Sequence, residues 1–330
     1  MHLSFPPVAL IIALTAQAPS QRQSSTYTYD VNGRRVEAGD IVSSAAAGSS
    51  VRTERSQSLN GRMVPLESAE ESVLRDGPDG RVVERLIRRY DPTGRPGAPE
   101  KVRIEERRNL DGSSTTLTTT WQGDLNGRLQ LAERTTTHAR KSGDTEHSET
   151  TVERPSISGA VETVEKRTRV ETGGTNVYNA DLVTYRRNSS GSFYEAAREV
   201  SERKTLDRMS TETTSRYNAT NSGHLELAGR QVSRTERLAD GTERQVVDVY
   251  GAVSQGRTVN GFGGGPQLRE QQIIERRPTA GGGEVETFSV RRPSLSDAGQ
   301  LGPAQKISET VCTGHCTPQP AKAETPSVKQ

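Results

Sequence analysis

A glycine returns along this chain at nearly fixed intervals, and that spacing restricts the fold more than any other feature. The turns read Val31-Asn32-Gly33-Arg34, Leu59-Asn60-Gly61-Arg62, Pro92-Thr93-Gly94-Arg95 and Leu125-Asn126-Gly127-Arg128. Gly159, Gly191, Gly223 and Gly256 continue the series, in steps of 28, 33, 33, 32, 32, 32 and 33 residues. A fixed period of this size marks stacked supersecondary units. About eight tandem units follow, and three side-chain columns keep their register. Two residues after the glycine stand Met63, Leu129, Val161, Phe193 and Leu225. Seven residues after it stand Lys101, Arg134, Lys166, Arg198 and Arg230. Six residues before it stand Tyr27, Trp121, Tyr185, Tyr217 and Tyr250.

Each unit has a second turn near its middle, such as Asp76-Gly77, Asp111-Gly112, Gly173-Gly174 or Asp240-Gly241. Asx-Gly and Gly-Gly supply the positive φ angles of tight hairpins. The runs between turns, Arg128 to Thr137 and Thr145 to Arg154 among them, are rich in Thr, Val, Arg and Glu. Branched Cβ atoms favour the pleated strand. No apolar stripe recurs at i, i+3 and i+4, so no substantial helix is expected beyond the first residues. The prediction is an all-β chain of tandem two-strand repeats. They form an extended antiparallel meander, in a single-layer or curled sheet. Strand parity puts the +2 apolar and +7 basic columns on opposite faces. The fifth position breaks that alternation, because Ala132, Val164, Ala196 and Ala228 are apolar too. A bulge there restores parity.

Composition limits the core. Hydrophobic residues make up 30% of the 330-residue chain and aromatics 4%, too few for one deep interior. The formal net charge is only +2, which argues against wholesale disorder. Glu interrupts nearly every Arg run, as in Glu106-Arg107-Arg108, so no unopposed basic patch points to nucleic acid. An outer-membrane barrel is disfavoured, because strands such as Thr145 to Arg154 carry too many charges for a lipid face. A propeller is disfavoured by the short repeat.

The first residues include an uncharged run from Val8 to Leu14, followed by Ala16-Gln17-Ala18. This is too short to span a bilayer and fits a secretory signal over 1–22. No later segment can cross a membrane as a helix. A β-repeat domain is expected over 23–302, and a disordered Pro- and Thr-rich tail over 303–330. In an exported chain Cys312 and Cys316 are expected to close a small disulfide loop in that tail.

Two turns, Tyr29-Asp30-Val31-Asn32-Gly33-Arg34 and Tyr90-Asp91-Pro92-Thr93-Gly94-Arg95, resemble the Tyr-Asp-x-x-Gly-Arg core of YD (RHS-type) repeats. Asp124-Leu125-Asn126-Gly127-Arg128 keeps all but the Tyr. The resemblance implies an exported β-sheet protein whose strands wind into a shell or fibre, with no catalytic set.

No constellation for catalysis, cofactor or metal stands out. No Gly-x-Ser-x-Gly or His-Glu-x-x-His is present, and the Gly261–Gly265 run lacks the Lys of a phosphate loop. His138 and His147 flank one expected hairpin and read as exposed residues. The aromatic column Tyr27, Trp121, Tyr185, Tyr217 and Tyr250 is the candidate ligand-stacking surface. The expected function is that of an exported, non-enzymatic protein with a structural, surface or binding role in the cell envelope, located in the periplasm, at the cell surface or outside. Its partners would be envelope proteins or polysaccharide. Two further expectations are a carbohydrate module using the aromatic row and a scaffold that pairs through edge strands.

Overall fold

A computed structural model describes residues 22–313 apart from 31, 48–49, 60–61, 125, 252–265, 280–281 and 295–299. The signal expected over 1–22 thus lies outside the described residues except for Arg22, which opens the first strand. Gly61, Gly256 and Cys316 also lie outside them.

Every regular element among the described residues is a strand, eighteen in all. The first nine are β1 (Arg22–Tyr29), β2 (Arg35–Ala47), β3 (Ser50–Leu59), β4 (Arg62–Gly77), β5 (Gly80–Arg89), β6 (Glu100–Arg108), β7 (Ser114–Gly123), β8 (Leu129–Ser142) and β9 (Thr145–Pro155). The others are β10 (Val161–Gly173), β11 (Val177–Arg187), β12 (Phe193–Leu206), β13 (Met209–Ala219), β14 (Leu225–Arg237), β15 (Glu243–Gly251), β16 (Gln267–Pro278), β17 (Glu284–Arg291) and β18 (Gln305–Thr313). Each pairs antiparallel with its neighbours in sequence, as the meander requires. The sheet then closes: β1 pairs with β18 from Gln23↔Thr313 to Thr28↔Ser308. An even number of antiparallel strands makes such closure possible. Among the described strands closure leaves no free edge, which removes the edge that a scaffold pairing through edge strands needs. The repeat period follows from the barrel. Two strands of similar height and their turns take a similar number of residues each time.

The strand β18 corrects the expected tail. Residues 305–313 complete the ring, so the β domain runs past 302. Cys312 is buried within this paired strand and is no part of a loose loop. Cys316, the partner expected for it in a disulfide loop, lies outside the described residues.

One turn chemistry recurs around the ring. In the Asp30–Arg34 turn, Gly33 N–H donates to the Asp30 carbonyl and Asp30 N–H to the Arg34 carbonyl. Gly33 takes φ 73°, and the Asp30 carboxylate accepts from the Asn32 and Arg34 amides at 2.9 and 2.8 Å. This is a type I turn with a left-handed glycine bulge. The turns opening at Asp91, Asn109, Asp124, Ser156, Asn188, Thr220, Leu238 and Thr279 repeat the same backbone pattern. Gly suits the left-handed position because it has no Cβ to clash.

Hydrogen bonds also set the acid behaviour of these turns. Thr93 hydroxyl and Arg95 amide donors hold the Asp91 carboxyl below its usual range. Ser113 does the same for Asp111 and Thr242 for Asp240. A depressed carboxyl stabilises the fold above its unfolded titration range, and that contribution is lost as pH falls through the folded range. Melting temperature is expected to fall below about pH 4. Asp91→Asn, which keeps the acceptor as Asn188 does, is expected to flatten part of that acid limb in a pH series of thermal melts.

The fifth-position bulge is present. Trp121 pairs with Leu131 and Thr120 with Glu133, so Ala132 is skipped. Val164, Ala196 and Ala228 are skipped in the same way. Leu66, Arg269 and Ile307 occupy matching bulges on β4, β16 and β18. Bulges add twist and bend, which a closing sheet needs.

Register and burial separate the two faces. On β12, Arg198, Val200, Glu202 and Lys204 are exposed, whereas Ala197, Glu199, Ser201 and Arg203 are half-buried. β14 alternates likewise, with Arg230, Arg234 and Glu236 exposed. In a closed sheet, side chains on the concave face converge and shield one another. The shielded set is therefore the inner wall. Register carries that wall to Val51, Ala69, Val83, Ile87, Val152, Ala180, Val290 and Cys312, the buried apolar residues. Eighteen strands leave an aqueous lumen.

Candidate functional site

The inner wall is a ladder of ion pairs. Between β4 and β6, the Arg89 guanidinium bridges Glu67 at 3.3 Å and Glu100 at 2.7 Å. Arg154 reaches Glu133 at 2.8 Å between β9 and β8. From β10 to β13, Glu165 accepts from Arg167 at 2.6 Å and from Arg186 at 3.2 Å. Arg169 donates to the Tyr178 hydroxyl at 3.1 Å and pairs with Glu171. Arg203 lies 4.8 Å from the Tyr178 ring centre, and Arg216 donates to Glu199 at 2.6 Å. Arg276 sits between Glu243 at 3.1 Å and Glu286 at 2.7 Å, with its side chain only 12% exposed. Burial opposes that charge, but the Glu286 and Glu243 carboxylates outweigh it and keep the guanidinium firmly protonated. Burial likewise favours a neutral Glu165, and Arg167 and Arg186 overcome it.

Arg and Glu at alternating positions, as in Glu165-Lys166-Arg167-Thr168-Arg169-Val170-Glu171, carry the signal for this ladder in sequence. The columns tied to the glycines did not draw it out, because every inner residue has the opposite parity.

The outer wall is charged as well. Lys101 pairs with Glu84 at 3.0 Å, and Arg103 with Glu84 at 3.6 Å and Glu105 at 3.0 Å. Arg198 binds Asp181 at 2.9 and 2.5 Å. Asp248 is 5% exposed and held by Gln271 at 2.8 Å and Arg234 at 3.4 Å. His138 faces Glu149 across the hairpin and contacts Thr115 at 3.0 Å. His147 pairs in register with Arg140, so the two histidines are not opposite each other. Among the described residues no cluster of three His, Cys, Asp or Glu could hold a metal.

All five aromatic candidates lie on this outer wall and are half-buried. The bulges bring the +7 basic column to the same wall as the +2 apolar column, as with Leu129 and Arg134 on β8, which corrects the expectation that those two columns take opposite faces. Lys101 faces Trp121, Lys166 faces Tyr185, Arg198 faces Tyr217 and Arg230 faces Tyr250, each directly in register. Beyond each bulge, the next outer residue is again basic. Arg134 is thus diagonal to Trp121, Arg198 to Tyr185 and Arg230 to Tyr217. Tyr27 stands apart from this run, with Arg35 3.1 Å from its ring centre. Lys101 lies 5.7 Å from the Trp121 ring and Lys166 4.7 Å from that of Phe193. Such contacts are cation–π pairs.

No family model and no curated protein matches the sequence. Solved structures do resemble the fold. A Rh. blastica porin mutant shares 8% identity over 89% of this chain and 98% of its own, with a TM-score of 0.50. OmpT, an outer membrane protein of Vibrio cholerae, shares 9% over 90% of this chain and 98% of its own, at 0.47. OpdQ of Pseudomonas aeruginosa shares 7% over 90% and 96%, at 0.46. The closed barrel, shared with the porin, sets the YD-repeat resemblance aside. Its Tyr-Asp-x-x-Gly-Arg motif is a hairpin chemistry, since turns opening with Asn188, Ser156 or Thr220 build the same geometry. The chain has the closed antiparallel meander of a porin-like barrel, a likeness of fold alone.

Proposed function

We propose that this chain is a non-enzymatic protein of the cell envelope whose barrel stands in water as a polar tube with a structural or binding role. One observation carries the reading: both walls are laced with charge. An Arg or Lys facing lipid at the bilayer midplane costs about 2–4 kcal/mol. The outer wall carries Arg103, Arg134, Lys166, Arg198, Arg230 and Arg234 within its strands. Reversing the walls brings no relief, because Arg89, Arg167, Arg169, Arg216 and Arg276 line the other one. The fold shared with a porin and the export signal expected over 1–22 support an envelope setting. Paired Arg and Glu on both walls suit a wettable scaffold, where ion pairs hold hydrated strands in register. Among the described residues no helix is long and apolar enough to cross a membrane.

The chain lacking residues 1–22 is expected to purify without detergent as a monodisperse species in light scattering. Added to planar lipid bilayers, it is expected to produce no stepwise conductance. A need for detergent, or ion-conducting steps in the bilayer, would overturn the reading in favour of a membrane-spanning pore.

A further inference from the structure

We infer that the outer cation–aromatic row over β10–β15 is a binding track for a linear acidic polysaccharide. The inference rests on the outer wall being open to water, as proposed above. Lys166, Tyr185, Arg198, Tyr217, Arg230 and Tyr250 follow one another on six consecutive strands, each in direct or diagonal contact register with the next. The three cations are exposed and the three rings half-buried. Strands lie about 4.8 Å apart, so the row extends over roughly 24 Å and repeats a ring about every 10 Å. Flat rings present a face to the C–H side of a sugar and a hydroxyl to its polar edge. The cations between them complement carboxylates carried along the same chain.

A shorter version, Lys101, Trp121 and Arg134, occupies β6–β8. Glu153 on β9 interrupts the two, pairing with Arg134 at 3.9 Å. The length and alternation of the row suit an extended polymer in preference to a compact ligand. Asp181, bound to Arg198, and Glu195, opposite Tyr185 on the same wall, temper the neighbouring cations in the absence of ligand, and carboxylates of the polymer would share those cations.

The test uses the chain lacking residues 1–22, once light scattering has shown it monodisperse without detergent. Oligogalacturonate of ten or more units is titrated by calorimetry, with neutral dextran as the comparison. Binding is expected to be saturable, absent for dextran and weaker as salt rises. Arg230→Gln is expected to weaken it several-fold, and Tyr217→Ala with Arg230→Gln at least tenfold, with circular dichroism unchanged. Arg85→Gln, the same charge loss on the inner wall, where Arg85 pairs with Glu71 between Val83 and Ile87, is expected to leave it unaltered. Should the double variant fold poorly, the exposed Arg230→Gln change alone decides. A monodisperse protein that ignores oligogalacturonate overturns the inference while leaving the barrel in water. Equal weakening by Arg85→Gln overturns it too. So does tighter row-dependent binding to oligo-dT or to anionic phospholipid vesicles.

Discussion

Deletion of Ala196 is expected to abolish folding of the barrel, whereas Ala196→Val is expected to leave stability within about 0.5 kcal/mol. Ala196 is the extra residue of a bulge, skipped between the pairs Thr184↔Ala197 and Tyr185↔Glu195. Removing it shifts the first turn of β12 by one position, and a one-residue slip sends every side chain there to the other wall. Phe193 and Glu195 would turn into the lumen, and Tyr194 would turn out. The alternative is to break the hairpin turn at Asn188–Ser192, where the Asn188 side chain accepts from the Ser190 and Ser192 amides. Because the ring is closed, neither neighbour can absorb the slip at a free edge. Replacement by Val keeps the count and matches Val164, the residue at the same place on β10. Equilibrium unfolding in urea for the substitution, and soluble yield with far-UV circular dichroism for the deletion, check both. A folded deletion variant would mean that the bulges do not set the register.

Gly80→Ala is expected to cost more than about 3 kcal/mol, and Gly77→Ala close to nothing. The two glycines pair with each other across the same hairpin. A Cβ on Gly80 would stand 1.9 Å from the Glu106 carbonyl oxygen and 2.9 Å from its carbon. That neighbour is backbone, so relief requires β5 and β6 to part where Gly80 pairs with Arg107. Gly80 also has φ 146°, a conformation costly for any residue with a side chain. A Cβ on Gly77 would meet nothing within 4 Å. Urea unfolding midpoints of the two variants against the parent give the comparison, and equal midpoints would refute it.

The strands and their turns were legible because their determinants are local. A glycine at φ 84° with an Asx acceptor three residues earlier, as at Gly94 and Asp91, makes one kind of hairpin wherever it occurs. The bulge was legible too, because Ala132, Val164, Ala196 and Ala228 break the alternation at one fixed offset from the glycine. The same locality misled in two places. Tyr-Asp-x-x-Gly-Arg is turn chemistry and resembled a repeat family for that reason alone. Cys312 looked like part of a loose tail, although β18 needs the segment around it to reach β1. Nothing near residue 312 shows that requirement, since its partner in register is Ser24, almost a full chain away.

The sequence by itself determined an antiparallel meander, the place of the four bulges at Ala132, Val164, Ala196 and Ala228, and the presence of aromatic and basic columns. Each of these follows from turn geometry and side-chain parity over a few residues. Only the tertiary structure decided that the sheet closes, which wall is inner, and that the aromatic and basic columns share the outer one. Closure depends on twist summed over all eighteen strands, a long-range quantity that no single repeat contains. The glycines that open the repeats thus specify hairpins, and the ring those hairpins form sets a cation beside each ring of Trp121, Tyr185, Tyr217 and Tyr250.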